Sequence, residues 1–158
     1  MIRLLLLLLI FILYSCSGGT TTEYRSAKTY VSANNYNEAE KIALEGIKNN
    51  PEDALTPYYL ALNIYGASDS PKQNYIQTAK YFSLAIEIDN KNEEDQLLPD
   101  PIPVINKSEQ TVELITVKDA IFHYRYIIWV EIFNKSIELI KLGDTDQAIE
   151  QLNIAALI

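Results

Sequence analysis

Apolar residues recur every three or four positions along most of the chain, which is the spacing of an amphipathic helix. Tyr24, Ala27, Tyr30 and Val31 follow this spacing within residues 22–33. Residues 53–65 continue the pattern with Leu55, Tyr58, Tyr59, Leu62 and Ile64. The pattern therefore predicts helices in both segments.

Three further helices are predicted by a repeated polar signature. Asn35, Asn74 and Asp144 are each followed three residues later by Glu or Gln, close to a capping box, in which the first side chain accepts a hydrogen bond from a free backbone N–H. Apolar residues then return at helical spacing. Pro51 ends the first of these helices, and the second is expected to end near residues 89–90.

Residues 118–142 form a long run rich in apolar residues. Thr116 with Asp119 offers an N-cap, and Lys141 and Gly143 fit a helix C-terminus. The β-branched and aromatic content of residues 124–133 leaves a strand as the alternative. We favour one helix, because no turn residue interrupts the run.

Small residues occupy matching positions in the helix pairs. In the first helices these are Ala61 and Ser136, and in the second helices they are Ala39, Thr78, Ala148, Gly46, Ala85 and Ala155. In the second helices, the next core position after Ala39, Thr78 and Ala148 holds Ala43, Phe82 and Leu152. This arrangement resembles tetratricopeptide (TPR) repeats. The resemblance implies an all-α fold in which TPR-like helical hairpins stack as a short right-handed α-solenoid of about three helix pairs, covering residues 22–158.

Two departures from the repeat pattern stand out. The turn of the second hairpin is enlarged at residues 67–74, and a Pro-rich, acidic insertion covers residues 91–115. Prolines disfavour helix and favour the extended polyproline II conformation. We interpret the insertion as a surface loop, with a short strand at residues 112–117 as the alternative.

The N-terminus has the pattern of an export signal. Arg3 precedes ten apolar residues, Leu4 to Leu13, which is shorter than the roughly 20 that cross a bilayer. Leu13-Tyr14-Ser15-Cys16 resembles a bacterial lipobox. The resemblance implies a signal peptide at residues 1–15, acylation of Cys16, a flexible tether at residues 16–22, and contact with the lipid bilayer through acylated Cys16. With Ser17 after the cysteine, it also implies a lipid-anchored place in the cell envelope, at the outer membrane, facing the periplasm or the cell surface. Cys16 is the chain's only cysteine, so no internal disulfide competes for it.

The chain's charge limits its partners. The 158 residues carry a formal charge of −8, which becomes −9 once the signal peptide with Arg3 is removed. Phosphate backbones are bound through basic patches, so we expect no nucleic acid. We find no phosphate loop, metal-ligand cluster or catalytic set, and the single histidine, His123, lies in the apolar run. The sequence therefore predicts no enzyme, no cofactor and no small-molecule substrate.

The TPR resemblance implies a concave protein-binding groove on the first helix of each pair, through which the chain would hold other envelope proteins as a scaffold. The residues implied for it are Tyr24, Tyr58, Leu62, Tyr65, Phe133 and Ile137. The alternative is that these residues are covered within the chain.

Two other functions remain open at this stage. The chain could be the N-terminal fragment of a larger TPR lipoprotein whose C-terminal part carries the activity, since Leu157-Ile158 ends without a polar cap. It could also bind polysaccharide with TPR-like helices, although its single tryptophan, Trp129, is expected to be buried in the long helix.

Overall fold

The computed structural model describes residues 19–106 and 108–158. This part of the chain is mostly helical and contains a small two-stranded sheet. The predicted signal peptide and the predicted lipidation site at Cys16 lie outside the described residues. The all-α prediction is therefore confirmed in outline, with the sheet as its exception.

The first hairpin pairs α1, Thr22–Ser32, with α2, Tyr36–Asn49. The side chain of Thr21 caps α1 by accepting from the N–H of Tyr24 at 3.2 Å. Asn35 caps α2 by accepting from the N–H of Glu38, as its sequence signature predicts. The two helices pack against each other directly.

The second hairpin begins with α3, Leu55–Tyr59, which continues as a π-helical segment, Leu60–Tyr65. Its partner α4, Tyr75–Asp89, is capped by Asn74, which accepts from the N–H of Gln77 at 3.1 Å. The enlarged turn between them is tied down on both sides. Ser70 Oγ donates to the carbonyl of Ile64, and Lys72 Nζ lies 2.6 Å from a carboxylate oxygen of Glu40 on α2.

The third hairpin consists of α5, Val117–Lys141, and α6, Thr145–Ala155. The N-caps at Thr116 and Asp144 are those that the sequence predicts. Gly143 follows α5 with φ +82°, a conformation that only glycine adopts without strain. The long helix is therefore confirmed, and the strand alternative for residues 124–133 is wrong.

The insertion forms a β-hairpin, so the prediction of a loop is wrong there, whereas the alternative of a short strand at residues 112–117 agrees with the observed strand Thr111–Thr116. Strand β1, Leu97–Ile105, pairs antiparallel with β2, Thr111–Thr116, with an irregularity between Leu97 and Ile102. Proline can lie in a strand when its nitrogen faces away from the partner, since that position needs no donor. Pro103 lies opposite Glu113 in the regularly paired part of β1, whereas Pro99 and Pro101 lie in the irregular stretch between Leu97 and Ile102, where no regular ladder is required.

The base of the β-hairpin is fastened to the helices by Gln96. Its side-chain oxygen accepts from the N–H of Ala54 at 2.6 Å, and its side-chain nitrogen donates to Asp53 at 2.9 Å. Its backbone N–H donates to Asp89 at 2.6 Å. Asp53 and Asp89 are buried, and Gln96 gives one oxygen of each carboxylate a hydrogen-bond donor. Among the described residues, the other oxygen of Asp89 has no hydrogen-bond donor and lies 3.5 Å from the ammonium of Lys118.

One core runs through the three hairpins, which contact one another in chain order. The small residues at the predicted close-contact positions are buried, including Ala39, Ala61, Ala85 and Ser136. Leu152, predicted to be core, is instead exposed, because α6 turns this side away from the other hairpins. The finer prediction of a right-handed TPR solenoid stays a prediction.

Among the described helices, including α5 with its 25 residues, we find none whose length and apolar character would allow it to cross a bilayer.

Candidate protein-binding surface

Three of the predicted groove residues are part of the core. Tyr24, Tyr58 and Tyr65 are only 5–8 % exposed. Tyr24 packs edge-on against Tyr59, with ring centroids 5.3 Å apart, and Tyr58 stacks on Phe82. In this conformation the three rings stabilise the hairpins and offer little surface to a partner.

Tyr65 also takes part in a polar cluster. Its ring stacks on Tyr81 at 5.7 Å, and its hydroxyl donates to Glu40 at 2.5 Å. Burial raises the pKa of the Tyr65 hydroxyl, and the hydrogen bond to Glu40 raises it further. Burial also favours the neutral form of Glu40, but the hydrogen bonds from Lys72 and Tyr65 outweigh this and lower the pKa of the Glu40 carboxyl. The cluster joins α2 to the second hairpin and needs no ligand to explain it.

Leu62 lines a shallow cleft between the second and third hairpins. The cleft has a volume of about 310 Å³. Its other lining residues are Asn63, Gly66, Ala67, Ser68, Tyr124, Ile127, Ile128 and Glu131. The hydroxyl of Tyr75, at the start of α4, donates to Glu131 on α5 at 2.9 Å, so the one carboxylate of the cleft is engaged.

Phe133 and Ile137 do not line this cleft. At 3.6 residues per turn, Phe133 lies about half a turn around α5 from the middle of the cleft-lining set. The structure therefore does not bring Leu62 and Phe133 together in one groove, although Phe133 itself is exposed.

Phe133 belongs to a row of exposed apolar side chains along α5, which we call the outer row. Its members are Phe122, Tyr126, Trp129, Phe133 and Ile140, and they are 36–67 % exposed. All five fall within a sector of about 60° around the helix. Trp129 and Phe133 stack on each other with centroids 5.0 Å apart and ring planes 10° apart. On α6, Ile149 and Leu152 are also exposed.

Sequence reasoning missed Phe122, Tyr126 and Trp129 as surface residues, and the expectation that Trp129 is buried is wrong. α5 carries apolar residues on two sides. Ile121, Ile128 and Ile132 fill the core, while the outer row uses the same i, i+3/i+4 spacing on another side. The presence of two apolar stripes along α5 could have revealed the outer row in the sequence, because packing against a single core requires only one apolar stripe.

Within residues 19–106 and 108–158, we find no group of three or more His, Cys, Asp or Glu side chains placed to hold a metal ion. His123 is partly exposed and packs edge-on against Tyr124, with centroids 5.4 Å apart.

Neither protein-family models, nor curated proteins, nor solved structures give a match to this chain. The TPR and lipobox resemblances therefore stay predictions.

Proposed function

We propose that this chain is a lipid-anchored protein-interaction module of the bacterial cell envelope, with TPR-like hairpins as its scaffold. The observation that carries the proposal is the outer row. Four aromatic residues and one isoleucine lie exposed along a single helix face. Contiguous exposed apolar patches of this kind mark sites of interaction, and aromatic anchors dominate the energetics of interfaces.

The anchoring part of the proposal is supported by the N-terminal sequence. A lone cysteine follows an apolar segment that is too short to span a bilayer. α1 begins at Thr22, only six positions after Cys16, so an acylated Cys16 would hold the first hairpin close to the membrane surface.

Protein binding is tested by affinity capture of the tagged full-length chain from its own membranes. The double variant Tyr126→Ser/Phe133→Ser removes the middle of the outer row. The control Leu44→Ser/Ile76→Ser likewise replaces two exposed apolar side chains by serine, on α2 and α4. We expect the row variant to lose at least tenfold of a captured protein, and the control variant to retain it. Equal capture by both variants would contradict the assignment to the outer row.

Anchoring is tested by feeding cells an alkyne-labelled fatty acid. We expect the wild-type chain to become labelled and to sediment with membranes, whereas Cys16→Ala is unlabelled and soluble. A labelled Cys16→Ala chain would exclude this site of acylation.

Polysaccharide binding is the second candidate, and the exposed position of Trp129 favours it. Parallel aromatic faces, such as those of Trp129 and Phe133, can pack against the apolar faces of sugar rings. Quenching or shifting of Trp129 fluorescence by envelope glycans, without any captured protein, would favour this function over protein binding.

A further inference from the structure

The outer row has the spacing of a coiled-coil seam. Tyr126, Phe133 and Ile140 are seven residues apart, and Phe122 and Trp129 lie four residues before Tyr126 and Phe133. This is the a/d repeat by which one helix packs along another, except that the d position between Phe133 and Ile140 is the buried Ser136. The surface is therefore suited to a partner helix with an apolar seam of similar length.

The exposed area matches a stable pairing of proteins. A buried aromatic side chain contributes roughly 150–250 Å². Weighting the five residues of the outer row by their exposed fractions gives roughly 400–600 Å², and the exposed Ile149 and Leu152 of α6 bring the exposed apolar area of the third hairpin to roughly 600–800 Å². A standard specific interface buries about 800 Å² on each partner.

Charge indicates what kind of partner would fit. The chain is strongly acidic, with a formal charge of −8. On α5, however, Glu131 and Glu138 lie on the side away from the outer row, and no carboxylate occupies a row position between Phe122 and Ile140. A basic partner would find no ion pair at this seam, and a second acidic copy would meet no repulsion there.

We propose that the partner at the outer row is a second copy of this chain, with the two α5 helices antiparallel about a two-fold axis near residue 131. This inference rests on the proposed function, because it names the partner for the same surface. The antiparallel arrangement brings Phe122 of each copy to Ile140 of the other. It also places the two Trp129–Phe133 stacks against each other at the centre. Such a contact uses the same patch twice, so it closes as a dimer and does not polymerise.

Trp129 provides the measurement, since it is the only tryptophan of the chain and is 40 % exposed in the single copy. The full-length protein in mild non-ionic detergent is diluted over a thousandfold range of concentration. Emission of Trp129 is recorded together with the protein mass by light scattering. We expect twice the mass of one chain at high concentration, with blue-shifted emission that moves to the red as the dimer dissociates.

The row variant Tyr126→Ser/Phe133→Ser keeps Trp129 and is expected to have the mass of one chain and a concentration-independent emission, with unchanged helical circular dichroism. The control Leu44→Ser/Ile76→Ser is expected to dimerise like the wild type. Two differently tagged copies expressed together should purify as a pair only when both have an intact row.

A wild-type protein that keeps the mass of one chain even at the highest concentration of the thousandfold range would overturn the dimer. If that single copy still captures another envelope protein through the row, protein binding stands and only the choice of partner fails. If it captures none, both proposals fail. A dimer that survives in the row variant would place the contact elsewhere and would also overturn the inference.

Discussion

At the scale of single residues, Gly46 shows why small side chains recur at fixed places in the hairpins. A Cβ atom at Gly46 would lie 2.8 Å from Cβ of Glu23 on α1 and 3.2 Å from Cγ2 of Thr56. A carbon at the base of a side chain cannot move without its backbone, so α1 and α2 would have to separate.

We expect Gly46→Ala to lower the free energy of unfolding by about 1–3 kcal/mol, despite the better helix propensity of alanine. Urea denaturation followed by circular dichroism measures this. A double-mutant cycle with Glu23→Gly, which removes the opposing Cβ, should recover part of the loss. A more stable Gly46→Ala protein would show that the helices do not cross this closely.

Gln96 is the residue on which attachment of the β-hairpin most depends, because its side chain satisfies both Ala54 and Asp53. Gln96→Ala leaves the buried N–H of Ala54 without its acceptor and removes one of the hydrogen bonds to Asp53, and we expect a loss of about 1–3 kcal/mol in the free energy of unfolding. Gln110→Ala, at an exposed glutamine of the same hairpin, is the matched control and should change stability by less than about 0.5 kcal/mol. Similar losses for both variants would argue against the role of Gln96.

At the scale of elements, the sequence predicted where helices begin better than which side of a helix is covered. Asn35, Asn74, Thr116 and Asp144 all cap helices as expected, because a cap is a local hydrogen bond between neighbours in the chain. The orientation of α5 could not be predicted in the same way. Both of its stripes fit a period of 3.6, and only packing against the other hairpins decides that Ile128 is buried and Trp129 is exposed.

The β-hairpin was missed for a different reason. Proline is depleted in strands in general, and Pro99, Pro101 and Pro103 therefore indicated a loop. The strand tolerates them because only Pro103 lies in the regularly paired part of β1, and Pro99 and Pro101 lie in the irregular stretch between Leu97 and Ile102, where no regular ladder is required. The exposed groove implied by the TPR resemblance could not be checked from the sequence either. Tyr24, Tyr58 and Tyr65 are buried because of how the helices of this particular chain cross.

We expect the prolines of β1 to limit pairing of its exposed edge with other chains. Within the described residues β1 pairs only with β2, and an exposed strand edge with regular donors invites pairing with other chains. We expect Pro101→Thr/Pro103→Thr to increase aggregation on prolonged incubation, measured by light scattering and thioflavin fluorescence. Pro71→Thr, in the turn before α4, is the control. Aggregation no faster than in this control would remove the edge-protecting role of the prolines.

At the scale of the whole molecule, the buried tyrosines couple stability to alkaline pH. Burial raises the pKa of Tyr59 to about 12, and it also raises the pKa values of Tyr24, Tyr58 and Tyr65 above the ordinary value of 10.0. Below pH 10 these groups are protonated in both states, so their contribution is fully present. Above pH 10 the unfolded chain loses these protons first, which favours unfolding.

We therefore expect the free energy of unfolding to fall steadily as pH rises from 10 to 12, by up to about 1.4 kcal/mol per pH unit for each such tyrosine. Urea denaturation between pH 8 and pH 11.5 measures this slope. Tyr59→Phe removes one of the titrating groups and should make the slope shallower. A profile that is flat above pH 10 would be incompatible with buried tyrosines in the core.

The outer row is proposed to contact another protein in the living envelope, and this contact can be measured in intact cells. It is tested most directly by placing a photo-crosslinking amino acid at position 126 of the full-length chain and irradiating intact cells. We expect discrete protein adducts from position 126 and none from the equally substituted, exposed position 44 on α2. Adducts from position 44 alone, or the absence of any protein adduct from position 126 after irradiation, would contradict binding at the outer row.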